Sequence, residues 1–410
     1  MNLKLDKSEL QFASISISGS KSETNRALLL QALFPELQIE NASNSDDSEI
    51  MQKALQDFQF STNFRHIDVH HAGTAMRFLT AFFAIQEGKE VVLTGSKRMQ
   101  ERPVKILVDA LNRLGAEITY EEKEGFPPIR IKGKKDFKSS VTISANVSSQ
   151  YISALLLIAP KLENGLELTL QGEVTSGSYI KMTLALLNEI GIQTSFIGNK
   201  IKVSPCKSIS KSKISIESDW SSASYWYSLI SLSRIGSQVT LSHFKADSLQ
   251  GDSILVEIYK DFGVETIFNK NNSITITKVK KSEVSVVDYQ LVNVPDIAQT
   301  IAVTCFGLGI ACSLFGLHTL KIKETDRLEA LKSELTKLGA SVFITNDTLH
   351  LEKSSKIKSY KSIVTYQDHR MAMAFTPLAL RVPIEIQEAE VVSKSYPNFW
   401  DDLRAVGVKL

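Results

Sequence analysis

Four short stretches of this chain set cations and carboxylates close enough together to do chemistry. The first, Gly19-Ser20-Lys21-Ser22 followed by Arg26, reads as a capped helix start bearing an ammonium and, one turn on, a guanidinium. A Walker A phosphate loop needs a glycine directly before its lysine, and Ser20 stands there instead, which argues against a nucleoside triphosphate site. The second, Arg98, Glu101 and Arg102 before Pro103, is either surface charge or a planar clamp for a carboxylate. The third, Lys321-Ile322-Lys323-Glu324-Thr325-Asp326-Arg327, packs five charges into seven positions and in isolation reads as a solvated helix start. The fourth, Tyr366-Gln367-Asp368-His369-Arg370, is either a loop and helix cap or a site that joins a titratable imidazole to a fixed cation. Each stretch alone could be a solvated, capped turn; what sets them apart is their arrangement around the same repeated elements.

The elements that must position them follow from composition and pattern. With 410 residues, 43% of them hydrophobic and 22% charged, the chain is an ordinary folded protein of two or three domains, neither disordered nor fibrous. Its 47 Lys and Arg against 45 Asp and Glu leave +2, too little for a nucleic-acid binder that uses its whole surface, so an anionic ligand must be met locally. Cys206, Cys305 and Cys312 have neither paired spacing nor flanking His, which excludes a disulfide framework and a recognisable zinc site. The opening MNLKLDKSEL carries charges where a secretory signal needs an apolar stretch, and a cytoplasmic location is expected. Ile297 to Leu320 holds no charged residue and is long enough to span a bilayer. Its interruptions by Gln299, Thr300, Thr304 and three glycines favour a buried element instead.

An amphipathic segment closing on glycine, followed by an apolar extended stretch, recurs along the chain. The glycines are Gly115, Gly191, Gly263, Gly339 and Gly407, and an earlier copy has Gln59 in that place. The pattern predicts helices ended by a left-handed residue, with Gln59 under mild strain. Each of these six units carries a second, more apolar helix, opening near Gly19, Ala72, Val147, Ser218, Val294 and Tyr366 among small or acidic residues that can cap it. Helices this apolar belong inside a domain, with strands and amphipathic helices around them. Arginine is scarce, 12 against 35 Lys, yet Arg26, Arg77 and Arg370 fall within a turn or two of those starts. Free N–H groups and positive partial charge at several such ends would form an anion trap if the ends converge.

The stretches GSKSETNRALLLQAL, NSDDSEI, AGTAMRFL, RMQERPVKILVDAL, NVSSQYISALL, SYIKMTLALL, SDWSSASY, LQGD, VPDIAQTIA, KIKETDRL, YQDHRMAMAF and SKSYP, in this order, resemble the enolpyruvyl transferases nearly end to end. The closest resemblance is to the branch acting on shikimate 3-phosphate. The resemblance implies an α/β fold of six βαβαββ repeat units, three per domain, with helix N-termini facing an interdomain cleft. The domains would be residues 20–217, and residues 1–19 with 218–410. It implies a transferase that adds the 5-hydroxyl of shikimate 3-phosphate to C2 of phosphoenolpyruvate and then expels phosphate from a tetrahedral intermediate, on the route to chorismate and the aromatic amino acids. No cofactor or metal is expected, nor a nucleic-acid or membrane partner, and the protein is expected to be a monomer.

By the same resemblance, Lys21, Ser22, Arg26, Ser148, Ser149, Gln150, Ser176, Tyr179, Asp296 and Lys323 would bind shikimate 3-phosphate. Lys21, Gly73, Thr74, Arg102, Gln150, Arg327, Arg370 and Lys394 would bind phosphoenolpyruvate. Asp296 would be the base at the hydroxyl, Glu324 the proton donor to carbon and Lys21 an additional acid, with His369 and Asp47 in support. The sequence departs from the family pattern at Ser18 for Pro, His71 for Asn, Gly177-Ser178 for a basic residue and Pro, and Thr319 for Asn, which would alter affinity rather than reaction type. A UDP-N-acetylglucosamine enolpyruvyl transferase is the nearest alternative, but it generally uses a loop cysteine, and none stands near Arg102. A non-catalytic anion-binding scaffold is the other.

Overall fold

Parallel strands need a crossover, and here the apolar helices supply it. The computed structural model describes residues 1–10, 12–59, 65–145, 148–354 and 356–410; the segment before the third apolar helix, including Val147, is partly outside them. Two compact units are formed: a middle unit, Ser20–Ile216, and a terminal unit made from both ends of the chain, Met1–Gly19 with Glu217–Leu410.

The middle unit contains α1 (Lys21–Leu33), α2 (Asp46–Gln59), α3 (Gly73–Ala84), α4 (Lys105–Leu114), α5 (Ser149–Ile158) and α6 (Gly177–Glu189). Strand Arg65–Asp68 runs parallel to Glu90–Thr94 through α3, and the antiparallel strands Ile129–Lys132 and Glu117–Tyr120 complete a four-stranded sheet. The same order is repeated by Ser140–Ser144, α5, Leu166–Gln171, α6 and the hairpin Thr194–Ile197 and Lys200–Val203.

The terminal unit contains α7 (Trp220–Leu232), α8 (Ala298–Leu308), α9 (Arg327–Lys337) and α10 (His369–Phe375). Val286–Gln290, α8, Ala311–Phe315, α9 and the hairpin Val342–Ile344 and Leu349–Leu351 again give the βαβαββ order. Local pattern did not reveal one feature. Ala13–Ile15 directly precedes α1 but pairs with Gln238–Ser242 of the terminal unit, while Lys213–Ser215 precedes α7 and pairs with Gln38–Glu40 of the middle unit. Glu217 goes with the terminal unit because its carboxylate accepts from Trp220 Nε1 and the Lys245 backbone N–H, both at 2.8 Å.

Gly115, Gly191, Gly263, Gly339 and Gly407 all have positive φ, as helix terminators should. At Gly115 a Cβ would also meet the Asp136 carbonyl oxygen at 2.8 Å. Gln59 differs from this expectation, since α2 continues through it as its last helical residue. The uncharged segment from Ile297 is α8, stopped by left-handed Gly309 and followed by the strand Ala311–Phe315. Among the described residues no helix is long and apolar enough to cross a membrane.

The apolar helices are buried almost throughout. Each of α3, α5 and α7 has a single residue that is not buried: Thr74, Gln150 and Ser221, all in the first turn. Side chains of Ser20, Ser148, Asp219 and Asp368 cap α1, α5, α7 and α10, whereas Ala72 before α3 has no side chain to do so. The fold thus brings short polar turns to the front of apolar rods.

Candidate functional site

In the middle unit the polar turns form two linked groups. Lys21, at the start of α1, holds its ammonium 3.3 Å from Asp47 Oδ2 at the start of α2. Arg26, one turn further along α1, is 2% exposed and faces inward. It donates to Thr183 Oγ1 at 2.7 Å, Ser153 Oγ at 3.0 Å, the Tyr179 carbonyl at 3.4 Å and the Ser22 carbonyl at 2.7 Å, so it ties α1 to α5 and α6. Burial pulls this guanidinium down to about 10, with Tyr179 and Glu23 acting against the shift. Ser176 caps α6 at φ 54°, a left-handed conformation that costs a non-glycine residue about 1–3 kcal/mol and is typical of functional turns.

The second group surrounds α3. Gln150 donates to Thr74 Oγ1 at 3.1 Å, joining the first turns of α5 and α3, while Ser148 Oγ accepts from the Gln150 backbone N–H at 3.3 Å. Ser149 is buried beside it. Arg102 lies over Gly73, where an added Cβ would sit 2.6 Å from Nη1 and 2.9 Å from Nη2. Its Nε is buried and meets no protein acceptor among the described residues. Arg77 fixes the loop that carries Arg102 by donating to the Pro103 carbonyl at 2.9 Å and to the Gly73 carbonyl at 3.2 Å. Arg98 and Glu101, grouped with Arg102 by sequence, instead form an exposed pair at 3.0 Å. Absence of a side chain at position 73 is therefore what admits the guanidinium.

The terminal unit gathers the remaining charges around one guanidinium. Arg327, 2% exposed at the start of α9, donates Nε to Asp368 Oδ2 at 2.7 Å, Nη1 to Asp296 Oδ1 at 2.9 Å and Nη2 to Glu324 Oε2 at 2.8 Å. Lys394 reaches Glu324 Oε1 at 3.2 Å, and Lys323 reaches Asp296 Oδ1 at 3.4 Å. Arg370 Nη1 donates to the Asp296 carbonyl at 3.1 Å, with Nη2 3.7 Å from Asp296 Oδ2. His369 is buried beside Asp368, its Nδ1 3.6 Å from Oδ1. Burial alone would lower the Arg327 guanidinium, but Asp368, Glu324 and Asp296 hold it above its ordinary value. The Lys323 ammonium is pushed down by burial, which outweighs the raising effect of Asp296. Each oxygen of Glu324 thus faces a different cation.

Three contributors, Asp368, Ser221 and Asp252, escaped the sequence reading. Asp368 was visible only as part of a charged stretch, yet it pairs with Arg327 and accepts from the Arg370 backbone N–H at 2.9 Å. The turn that presents it is strained, with Tyr366 at φ 54° and Gln367 at φ 55°, and is held by the Tyr366 hydroxyl donating to Glu334 at 2.7 Å. Behind Arg370, Nη2 donates to Ser221 Oγ at 3.3 Å, and Ser221 in turn donates to Asp252 Oδ2. Burial, helped by Asp296, pushes Asp252 up to about 7. Ser221 and Asp252 lie in the SDWSSASY and LQGD stretches, which nothing local marked as neighbours of Arg370.

A family model described as EPSP synthase (3-phosphoshikimate 1-carboxyvinyltransferase) matches residues 6–403. A 3-phosphoshikimate 1-carboxyvinyltransferase from Bacteroides fragilis is 44% identical over 402 residues, 96% of this chain and 95% of its own. One from Haemophilus influenzae is 34% identical over 425 residues, covering 96% of each chain. Among solved structures, an EPSP synthase from Acinetobacter baumannii has a TM-score of 0.80 at 20% identity, covering 100% of this chain and 98% of that one. The enolpyruvyl transferase NikO from Streptomyces tendae has a TM-score of 0.75 at 12% identity with the same coverage. These two likenesses concern the fold.

Proposed function

Since the chain belongs to the EPSP synthase (3-phosphoshikimate 1-carboxyvinyltransferase) family, we propose that the charged assembly around Arg327 and the capped helix starts of the middle unit are its substrate-handling residues. The protein is an enzyme that transfers the enolpyruvyl group of phosphoenolpyruvate to the 5-hydroxyl of shikimate 3-phosphate, giving 5-enolpyruvylshikimate 3-phosphate and phosphate. In this reading Lys21, Ser22, Ser148, Ser149, Gln150, Ser176, Tyr179, Asp296 and Lys323 hold shikimate 3-phosphate. Arg26 acts with them by fixing Ser22 and Tyr179, since most of its N–H groups are engaged by protein acceptors. Lys21, Gly73, Thr74, Arg102, Gln150, Arg327, Arg370 and Lys394 hold phosphoenolpyruvate. The working molecule is the monomer.

The observation that carries the reading is a pair of carboxylates, Asp296 and Glu324, bridged by one buried guanidinium. Addition needs a group to take the hydroxyl proton and another to give a proton to the methylene carbon, and a single carboxylate cannot do both at once. Asp296 is assigned to the hydroxyl and Glu324 to the carbon, with Lys21 as an additional acid. Cations on both oxygens of Glu324 favour its ionised form. The two substrates together bring roughly six negative charges near neutral pH, given a phosphate second pKa of about 6. They compete for Arg327 and Lys394, so substrate binding raises the proton affinity of Glu324 at the step where a donor is needed. The same cations then stabilise the phosphate that leaves.

Phosphate release measured with each substrate alone and with both tests the assignment. Release only with both is expected. Release dependent on a UDP-sugar would support the sister activity, and binding without turnover would support a scaffold.

A further inference from the structure

The three apolar helices of the terminal unit that lead to the charged assembly have a second end. α7, α8 and α10 begin at Trp220-Ser221, just after Asp296 and at His369-Arg370. Their far ends, Leu232-Ser233, Leu308-Gly309 and, through the turn Thr376–Leu380, Leu380-Arg381, border a cavity of about 770 Å³ lying within that unit. At about 1.5 Å per residue, helices of 13 and 11 residues separate this cavity from the assembly by roughly 17–20 Å, so it is a different place. Its volume is that of a small-molecule site, typically about 300–1,000 Å³.

The lining is strongly one-sided in charge. Lys7, Arg234, Lys278, Lys281, Lys353 and Arg381 border the cavity against the single carboxylate of Glu9, which lies 3.6 Å from Arg234 with both side chains exposed. Cations at helix C-termini can simply answer the helix dipoles, but α7 and α8 supply only about half a negative charge each. Roughly four positive charges remain after that and Glu9 are counted, on a chain whose net charge is +2. Lys278 is the least ordinary of the six, being 4% exposed with its ammonium donating to the Phe262 carbonyl at 2.5 Å. Among the described residues no acidic group acts on Lys278 or Arg381. Burial, with Arg381 adding to it, pushes Lys278 down to about 8. A buried cation left without a counter-charge is costly, which a bound anion would offset. Leu10, Leu232, Val284 and Ile310 contribute apolar wall, which suits a ligand with a carbon body better than a bare inorganic ion.

We propose that this cavity binds a small organic polyanion with an apolar carbon body at a site separate from the substrate-handling residues. The probe is 4-fluorophthalate, followed by 19F NMR line broadening on the full chain with shikimate 3-phosphate and inorganic phosphate present in saturating amounts. Saturable broadening with a Kd below about 1 mM is expected, weakened about tenfold or more by Lys278→Gln and by the paired exposed substitutions Lys281→Gln and Arg381→Gln. The exposed pair serves should Lys278→Gln fail to fold, and it leaves kcat unchanged within about twofold because neither residue adjoins the assembly. Lys21→Met should leave the broadening intact. The proposal is overturned by absence of saturable broadening, by broadening indifferent to the exposed pair, or by broadening lost in Lys21→Met.

Discussion

The guanidinium of Arg102 occupies the space that a side chain at Gly73 would fill, with Nη1 2.6 Å from the position of an added Cβ. Backbone at the start of α3 cannot retreat, because Arg77 ties both Gly73 and Pro103. Gly73→Ala should therefore displace Arg102 rather than the helix. If Arg102 binds phosphoenolpyruvate, the substitution raises KM for that substrate by about tenfold or more, or roughly 1.4 kcal/mol, while KM for shikimate 3-phosphate moves much less. Steady-state kinetics with each substrate varied decides it, and an equal rise in both would remove the assignment.

Asp368 accepts from both Arg327 Nε and the Arg370 backbone N–H and is fully buried. In Asp368→Asn the guanidinium loses a charge partner in a place that water does not reach. Breaking a buried pair typically costs about 3–5 kcal/mol, and the figure here belongs near the lower end because Asp296 and Glu324 still face Arg327. A parallel drop in kcat/KM of about a hundredfold is expected from the misplaced cation. Chemical denaturation and kinetics on one preparation check both, and a variant normal in both would show that Asp368 does not organise the assembly.

Much of this architecture could be read from local pattern. The five glycines announced helix ends because only a residue without Cβ takes positive φ cheaply, and the uncharged segment after Asp296 gave itself away through Gly309. Pairing partners were less accessible. Alternation in Ala13–Ile15 and Lys213–Ser215 reports a strand, but nothing local says that the first joins the sheet of Gln238–Ser242 and the second that of Gln38–Glu40, each within its own unit and away from the helix that follows it in sequence. Side-chain direction was equally hidden: Arg26 and Arg102 both sit near helix starts, yet one points into the core and the other lies over a glycine. Residues that act through another, such as Asp252 through Ser221, carry no spacing signal because they meet their target only in the fold.

Asp296→Asn and Glu324→Gln separate binding from proton transfer. Each keeps the shape and a hydrogen-bonding oxygen while removing the titrating group, and each stays in contact with Arg327. General acid or base catalysis is worth about 10²–10⁴-fold, so kcat should fall by at least about a hundredfold. Shikimate 3-phosphate affinity by calorimetry should change far less. Near-normal kcat in either variant takes the proton-transfer role from that residue.

Asp252 makes the terminal unit sensitive to pH in a direction opposite to most carboxylates. Burial holds its folded value at about 7 against an ordinary 3.8, so between them the folded protein keeps a proton that the unfolded chain has released. The stability this contributes is complete below about pH 4 and lost as pH rises through about 7, with an upper limit near 4 kcal/mol. Asp252→Asn retains an acceptor for Ser221 but cannot ionise, so stability of the wild type relative to the variant should decline between pH 5 and about 8. All three tryptophans, Trp220, Trp226 and Trp400, lie in the terminal unit, so urea unfolding followed by their fluorescence reports this unit alone. Other titrating groups are common to both proteins and cancel in the difference. A flat difference across that range would mean that Asp252 is ionised throughout, and the Ser221 bridge to Arg370 would then rest on a charged anchor.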